Sequence, residues 1–151
     1  MDPKRVNTLW RRYKAVFEGR LDQKDKELRE ALKLIRTLYS GEKIDDLSII
    51  KELLELAIGH LEVAKKHNEK TRRFIEKFRG KMEGELNTDP KTLESFVSTL
   101  NDQIKKLSDG ELEIDQYISL LEEASKAEQG IPNSLKDVIA GLEYGQSSRS
   151  A

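Results

Sequence analysis

Apolar residues recur three and four positions apart along almost the whole chain, and no stretch alternates apolar and polar residues with a period of two. This spacing is typical of amphipathic helices, whose turns contain 3.6 residues, and it predicts no strands. The sequence therefore indicates an all-α helical bundle in which two long, coiled-coil-like antiparallel helices are followed by about three shorter helices.

The first helix is expected over residues 4–40, with a single long and narrow apolar stripe. Part of the stripe has the seven-residue spacing of coiled coils. A helix of about 35 residues is roughly 50 Å long, which is more than we expect one small domain to cover, and so the pattern predicts dimerisation. The expected interface residues are Trp10, Tyr13, Phe17, Leu21, Leu28, Ile35 and Leu38.

The second helix is expected to begin at an N-cap provided by Asp45 or Asp46 and to continue to about Met82. Its stripe becomes less apolar between residues 64 and 74, where Asn68 and Thr71 are among the residues that occupy inward positions. Looser packing or a kink is expected there.

The later part of the chain contains shorter apolar stripes. Residues 80–90 collect turn-forming residues, and Pro90 fits the first position of a third helix. Ser108 and Glu111 match the S-x-x-E capping box, so we expect the third helix to end at residues 108–110 and a fourth to begin there. A short fifth helix should follow Pro132.

These boundaries predict three parts of the chain. The expected division is a long helical hairpin for interaction and dimerisation over residues 1–82, a smaller acidic helical subdomain over 83–145, and a disordered tail over 146–151.

Charge is distributed unevenly along the chain. Residues 1–81 contain 21 Lys and Arg against 14 Asp and Glu, net +7, whereas residues 82–151 contain 6 against 14, net −8. The most basic segment supplies a candidate patch for anions or nucleic acid, because cations can neutralise phosphates. Two other interpretations stay open, namely a solvated helix face and pairing with the acidic half. The patch comprises Lys65, Lys66, Lys70, Arg72, Arg73, Lys77, Arg79 and Lys81.

The residues that usually carry catalysis or bind metals are scarce. The chain has no cysteine and two histidines, His60 and His67, which are seven residues apart and too distant along a helix to share one ion. We find no nucleophile elbow and no glycine-rich phosphate loop. The sequence therefore predicts a protein that is not an enzyme, with no catalytic residues, no metal site and no cofactor.

Composition also bears on location and partners. The absence of cysteine fits a reducing compartment, no apolar run approaches the ~18 residues of a membrane span, and the first twenty residues lack the apolar region of a signal peptide. We expect a cytoplasmic protein without membrane insertion. Its expected partner is a second copy or another protein, with nucleic acid as the less favoured alternative.

Residues 9–57 carry a Trp-x-x-Tyr start at Trp10 and Tyr13, a charged heptad helix, a short turn with Gly41 and a second helix that begins Asp46-Leu47. This run resembles the helical N-terminal regions of some bacterial GGDEF-type diguanylate cyclases. The resemblance implies a regulatory or dimerisation module in signal transduction. The catalytic GGDEF motif is absent, so no catalytic residue is carried over. The alternative is a small nucleic-acid-associated helical protein that uses the basic segment 65–81.

Overall fold

The computed structural model describes residues 3–39, 46–85, 90–127 and 132–150, and within these ranges all the regular secondary structure is helical. The predicted all-α bundle with two long antiparallel helices is confirmed. The four helices are α1 (Pro3–Thr37), α2 (Leu47–Glu85), α3 (Pro90–Lys126) and α4 (Ser134–Ser150).

The helix starts follow the signals in the sequence where those residues are described. Asp46 is the N-cap of α2, because its Oδ1 accepts a hydrogen bond of 2.9 Å from the backbone N–H of Ser48. Pro90 is the first residue of α3, as predicted. The expected alternative cap Asp45 and the short turn with Gly41 lie outside the described residues.

The predicted break at residues 108–110 is wrong, because α3 is one continuous helix of 37 residues. Leu107 and Ile114 are buried on either side of Gly110. The carboxylate of Glu111 pairs with Arg72 of α2. Burial on both sides of the glycine favours a continuous helix over the local capping signal. The bundle therefore has three long helices and a short fourth one.

α2 packs against both α1 and α3, and α4 packs against α1 and α3. Near one end, α4 inserts Leu135, Val138 and Leu142 into a core that it shares with the other three helices. Towards the other end, aromatic rings fill the space between α1 and its neighbours. The Trp10 ring centroid lies 4.8 Å from that of Phe96 in α3.

The apolar stripe of α1, which supplies the predicted dimer interface, packs largely within the described chain, and its use between two copies stays a prediction. Tyr13, Ile35 and Leu38 are buried. The remaining four residues, Trp10, Phe17, Leu21 and Leu28, are partly buried and pack against the same core clusters. These side chains pack in core clusters that also contain residues of α2, α3 and α4.

The core crosses the boundary that the sequence suggests near residue 83. One cluster joins Tyr13 and Ile75 to Leu100 and Leu107, and a second joins Val6 and Met82 to partly buried side chains of α3. The division into 1–82 and 83–145 thus stays a prediction about whether the two parts unfold separately. α4 extends beyond Gly145 to Ser150, across most of the segment expected to form a disordered tail.

Among the described residues, we find no helix that combines the length and the apolar character needed to cross a membrane.

Candidate functional site

The candidate site is the outer face of α2, which points away from the packed core. Three aliphatic residues of the N-terminal half, Ile49, Leu56 and Val63, lie seven positions apart on this face. They are 47%, 51% and 40% exposed, respectively. We call these three residues the apolar row. Such spacing is typical of one position of a coiled-coil seam, and here no described part of the chain covers it.

Gly59 lies between Leu56 and Val63 on the same side of the helix. A Cβ atom at this position would have no neighbour within 4 Å. A glycine inside a helix costs roughly 0.5 to 1 kcal/mol relative to alanine. No contact within the described chain explains why a glycine is present here. A second helix could approach closely over a residue without a side chain.

The C-terminal half of the same face is basic. Five cations, which we call the basic row, are exposed or largely exposed there, and none has an ion pair with a carboxylate among the described residues. The row extends over 15 positions of the helix, or about 22 Å at 1.5 Å per residue. It comprises Lys66, Lys70, Arg73, Lys77 and Lys81.

The other three residues of the predicted patch turn towards α3. Lys65 pairs with Asp115 at 2.8 Å, and the hydrogen bond to that carboxylate raises the pKa of Lys65. Arg72 Nε lies 3.0 Å from Glu111, a contact that likewise raises the pKa of Arg72. Arg79 donates a hydrogen bond of 2.7 Å to Asn101. These three side chains therefore contribute to the contact between α2 and α3.

Arg20 and Phe74 are site residues that the sequence did not reveal. An open groove of about 330 Å³ between α1 and α2 is lined by Arg20, Lys70, Arg73, Phe74 and Lys77. The Arg20 guanidinium carbon lies 5.3 Å from the centroid of the Phe74 ring. Its Nε is shielded from solvent and has no hydrogen-bond partner. Since Arg20 is about 50 positions before the basic row, only the packing of α1 on α2 brings it there.

A polar layer crosses the bundle next to this groove. The fully buried Asn68 donates a hydrogen bond of 2.5 Å to the backbone carbonyl of Leu107 in α3. Its Oδ1 accepts one of 3.3 Å from Lys24 of α1. Thr71, also buried, donates to the carbonyl of His67 at 2.7 Å. The inward positions predicted for Asn68 and Thr71 are thus confirmed, and Asn68 links all three long helices.

The two histidines do not meet. His60 Nδ1 lies 2.6 Å from Glu27 of α1, and this pair joins α1 to α2 at a partly buried position. Within the described part of the chain, no group of three or more His, Cys, Asp or Glu side chains is arranged to hold a metal ion.

A second exposed apolar surface lies on α3. Leu112 is 64% exposed and borders a shallow cavity of about 560 Å³ along that helix alone. Its neighbours in the lining include the polar residues Asp115, Gln116 and Ser119. The surface therefore lacks the repeated aliphatic spacing of the apolar row.

Comparison of the chain with protein-family models, curated proteins and solved structures found no match.

Proposed function

We propose that the chain is a non-enzymatic helical interaction module that forms a homodimer through the apolar row of α2. The observation that carries this proposal is the exposure of Ile49, Leu56 and Val63 at heptad spacing on a face that no described helix covers. Burial of three aliphatic side chains from each copy would remove apolar surface from water, which favours association.

Charge favours an antiparallel arrangement of the two α2 helices. A parallel pair would place the two basic rows side by side, and like charges that face each other are destabilising. An antiparallel pair centred on Leu56 places Ile49 against the partner's Val63 and sends the basic rows to opposite ends. The arrangement has twofold symmetry, so each copy uses the same surface.

Gly59 supports the same arrangement. It lies three residues from Leu56 and four from Val63, and its open surroundings would allow the partner helix to approach closely. The proposed dimer gives this helical glycine a packing role that the chain alone does not provide.

The proposal includes a regulatory role in bacterial signal transduction and a cytoplasmic location. The signalling role is supported by the resemblance of residues 9–57 to helical regions that precede GGDEF catalytic domains. The location is supported by the absence of cysteine from the sequence.

The test is the molar mass of the whole chain in solution, measured by light scattering during size-exclusion chromatography at two protein concentrations. A small interface of this kind corresponds to weak association, so a high protein concentration is needed. We expect a clear dimer fraction at ~100 μM. Leu56→Glu should be monomeric, because it would place two carboxylates at the centre of the seam. Its circular dichroism should match the wild type, since the side chain is exposed.

Leu112→Glu is the matched control, because it introduces the same charge at an exposed leucine on α3. It should associate like the wild type. A wild-type monomer at ~100 μM, or equal loss of association in both variants, would refute the proposed interface.

A further inference from the structure

The groove between α1 and α2 concentrates positive charge without a counter-charge. Four of its five lining residues are cations, and none is acidic. The other cations of the same segment that face α3 have carboxylate or amide partners. The groove, together with Lys66 and Lys81, therefore carries the charge of the basic segment that the described chain leaves without an ion pair.

Arg20 gives the groove a fixed donor. Its guanidinium lies against the Phe74 ring, which restricts its position. The Nε is buried and has no hydrogen-bond partner, a state that proteins usually avoid for polar atoms. Because Arg20 lines the groove, the terminal nitrogens of its guanidinium can donate to an anionic oxygen bound there, and guanidinium groups are well suited to phosphate oxygens.

Phe74 does not provide a free platform for bases. Its ring is stacked with that of Tyr13, with centroids 5.6 Å apart and planes 12° from parallel, and Arg20 also lies over it. The groove thus presents donors and positive charge, and it lacks an exposed aromatic face of the kind that stacks on unpaired bases.

We propose that this groove, extended along α2 by Lys66 and Lys81, binds the phosphate backbone of double-stranded nucleic acid without reading its sequence. The basic row is about 22 Å long, and duplex DNA has one phosphate per 3.4 Å of axis on each strand. A duplex aligned with α2 therefore offers several phosphates to the row at once. A small anion would fill the groove but leave Lys66 and Lys81 unused.

The test is the fluorescence anisotropy of a labelled duplex of mixed sequence, titrated with the whole chain over a range of salt concentrations. We expect a dissociation constant of roughly 1 to 100 μM at physiological salt, typical of sequence-independent binding. With one phosphate contact for each of the six cations, the logarithm of the association constant should fall against log salt with a slope of about −5.4. This corresponds to roughly 1,000-fold weaker binding at 200 mM than at 50 mM salt.

The double variant Arg73→Gln with Lys77→Gln should weaken binding and reduce the slope by about 1.8, because two contacts are lost. Arg20→Gln should reduce it by about 0.9. The matched control is Lys105→Gln with Lys106→Gln, which removes the same charge from exposed positions of α3 and should leave binding almost unchanged. The Leu56→Glu variant should still bind the duplex. The experiment can therefore distinguish failure of the proposed dimer from failure of the proposed nucleic-acid site.

A second arm separates a nucleic-acid backbone from a free polyphosphate. Lys66→Gln with Lys81→Gln should weaken duplex binding while leaving calorimetric binding of inorganic tripolyphosphate unchanged. Three results would overturn the proposal: no salt-dependent duplex binding, equal effects of the groove and control variants, or tripolyphosphate binding with no duplex binding. A strong preference between two duplex sequences would also contradict it.

Discussion

Tyr13 is a single side chain that joins all three long helices. Its hydroxyl donates a hydrogen bond to Gln103 of α3, and its ring stacks on that of Phe78 in α2 with centroids 4.4 Å apart. The residue is buried, and burial raises the pKa of the phenol because the charged form is disfavoured away from water. The periodicity of the sequence predicts the inward position of Tyr13, whereas its partner Gln103 depends on the path of α3.

The raised pKa of Tyr13 predicts loss of stability at alkaline pH. The unfolded chain releases the phenol proton near pH 10, whereas the folded chain retains it, so the free energy of unfolding falls as pH rises above about 10. Between pH 10 and 11, this residue should contribute a loss of about 1 kcal/mol. The measurement is urea unfolding at pH 8 and pH 11.

Tyr13→Phe has no phenol to ionise, so its stability should fall less between these two pH values than that of the wild type. It should also be less stable at pH 8 by about 1 kcal/mol, because the hydrogen bond to Gln103 is lost. Tyr144→Phe, at an exposed position, serves as the control. If the free energy of unfolding depended on pH in the same way in Tyr13→Phe and the wild type, ionisation of this phenol would not contribute to the loss of stability.

At the scale of a helix, α3 continues through a local sequence signal that predicts a helix start. The residues 108–111 match a capping box, yet Leu100, Leu107, Ile114 and Leu121 are all buried and lie seven positions apart. That common spacing was present in the sequence and favours one continuous stripe. The hydrogen bond from Asn68 to the carbonyl of Leu107 depends on tertiary packing and could not be predicted from local sequence.

Continuity of α3 predicts that Gly110→Ala stabilises the protein. An added Cβ would meet only Asn68 Nδ2, at an ordinary contact distance of 3.8 Å. Alanine in a helix interior is favoured over glycine by roughly 0.5 to 1 kcal/mol, so the midpoint of urea unfolding should rise. If the helix instead ended at Gly110 in a left-handed conformation, alanine would be strained and the midpoint would fall.

At the scale of the whole molecule, the prediction that α1 dimerises rests on the length of its apolar stripe. A stripe of about 50 Å is more than one small domain is expected to cover. The continuous α3, together with α2 and α4, packs against much of that stripe within one chain. Hydrophobic burial is non-directional, so the stripe alone could not identify which helix would cover it.

Shared core clusters predict that the chain unfolds in one transition. Trp10 packs between α2 and α3 near one end, whereas the largest cluster lies towards the other. Thermal unfolding followed by Trp10 fluorescence and by far-ultraviolet circular dichroism should give the same midpoint at low and high salt. Separate midpoints, or cleavage at residues 86–89 that increases with salt, would support two independently unfolding parts.

The most direct test of the proposed dimer is a distance between its two copies. Because the chain has no cysteine, Lys66→Cys provides a single site for a nitroxide spin label. Lys66 lies ten residues from Leu56, so an antiparallel dimer centred on Leu56 separates the two labelled positions by about 30 Å along the helices. Pulsed dipolar spectroscopy at ~100 μM protein should give a distance close to that value, and Leu56→Glu should abolish it. Absence of a dipolar signal in the wild-type background, or a separation of only about 10 Å as expected for parallel helices, would contradict the proposed arrangement.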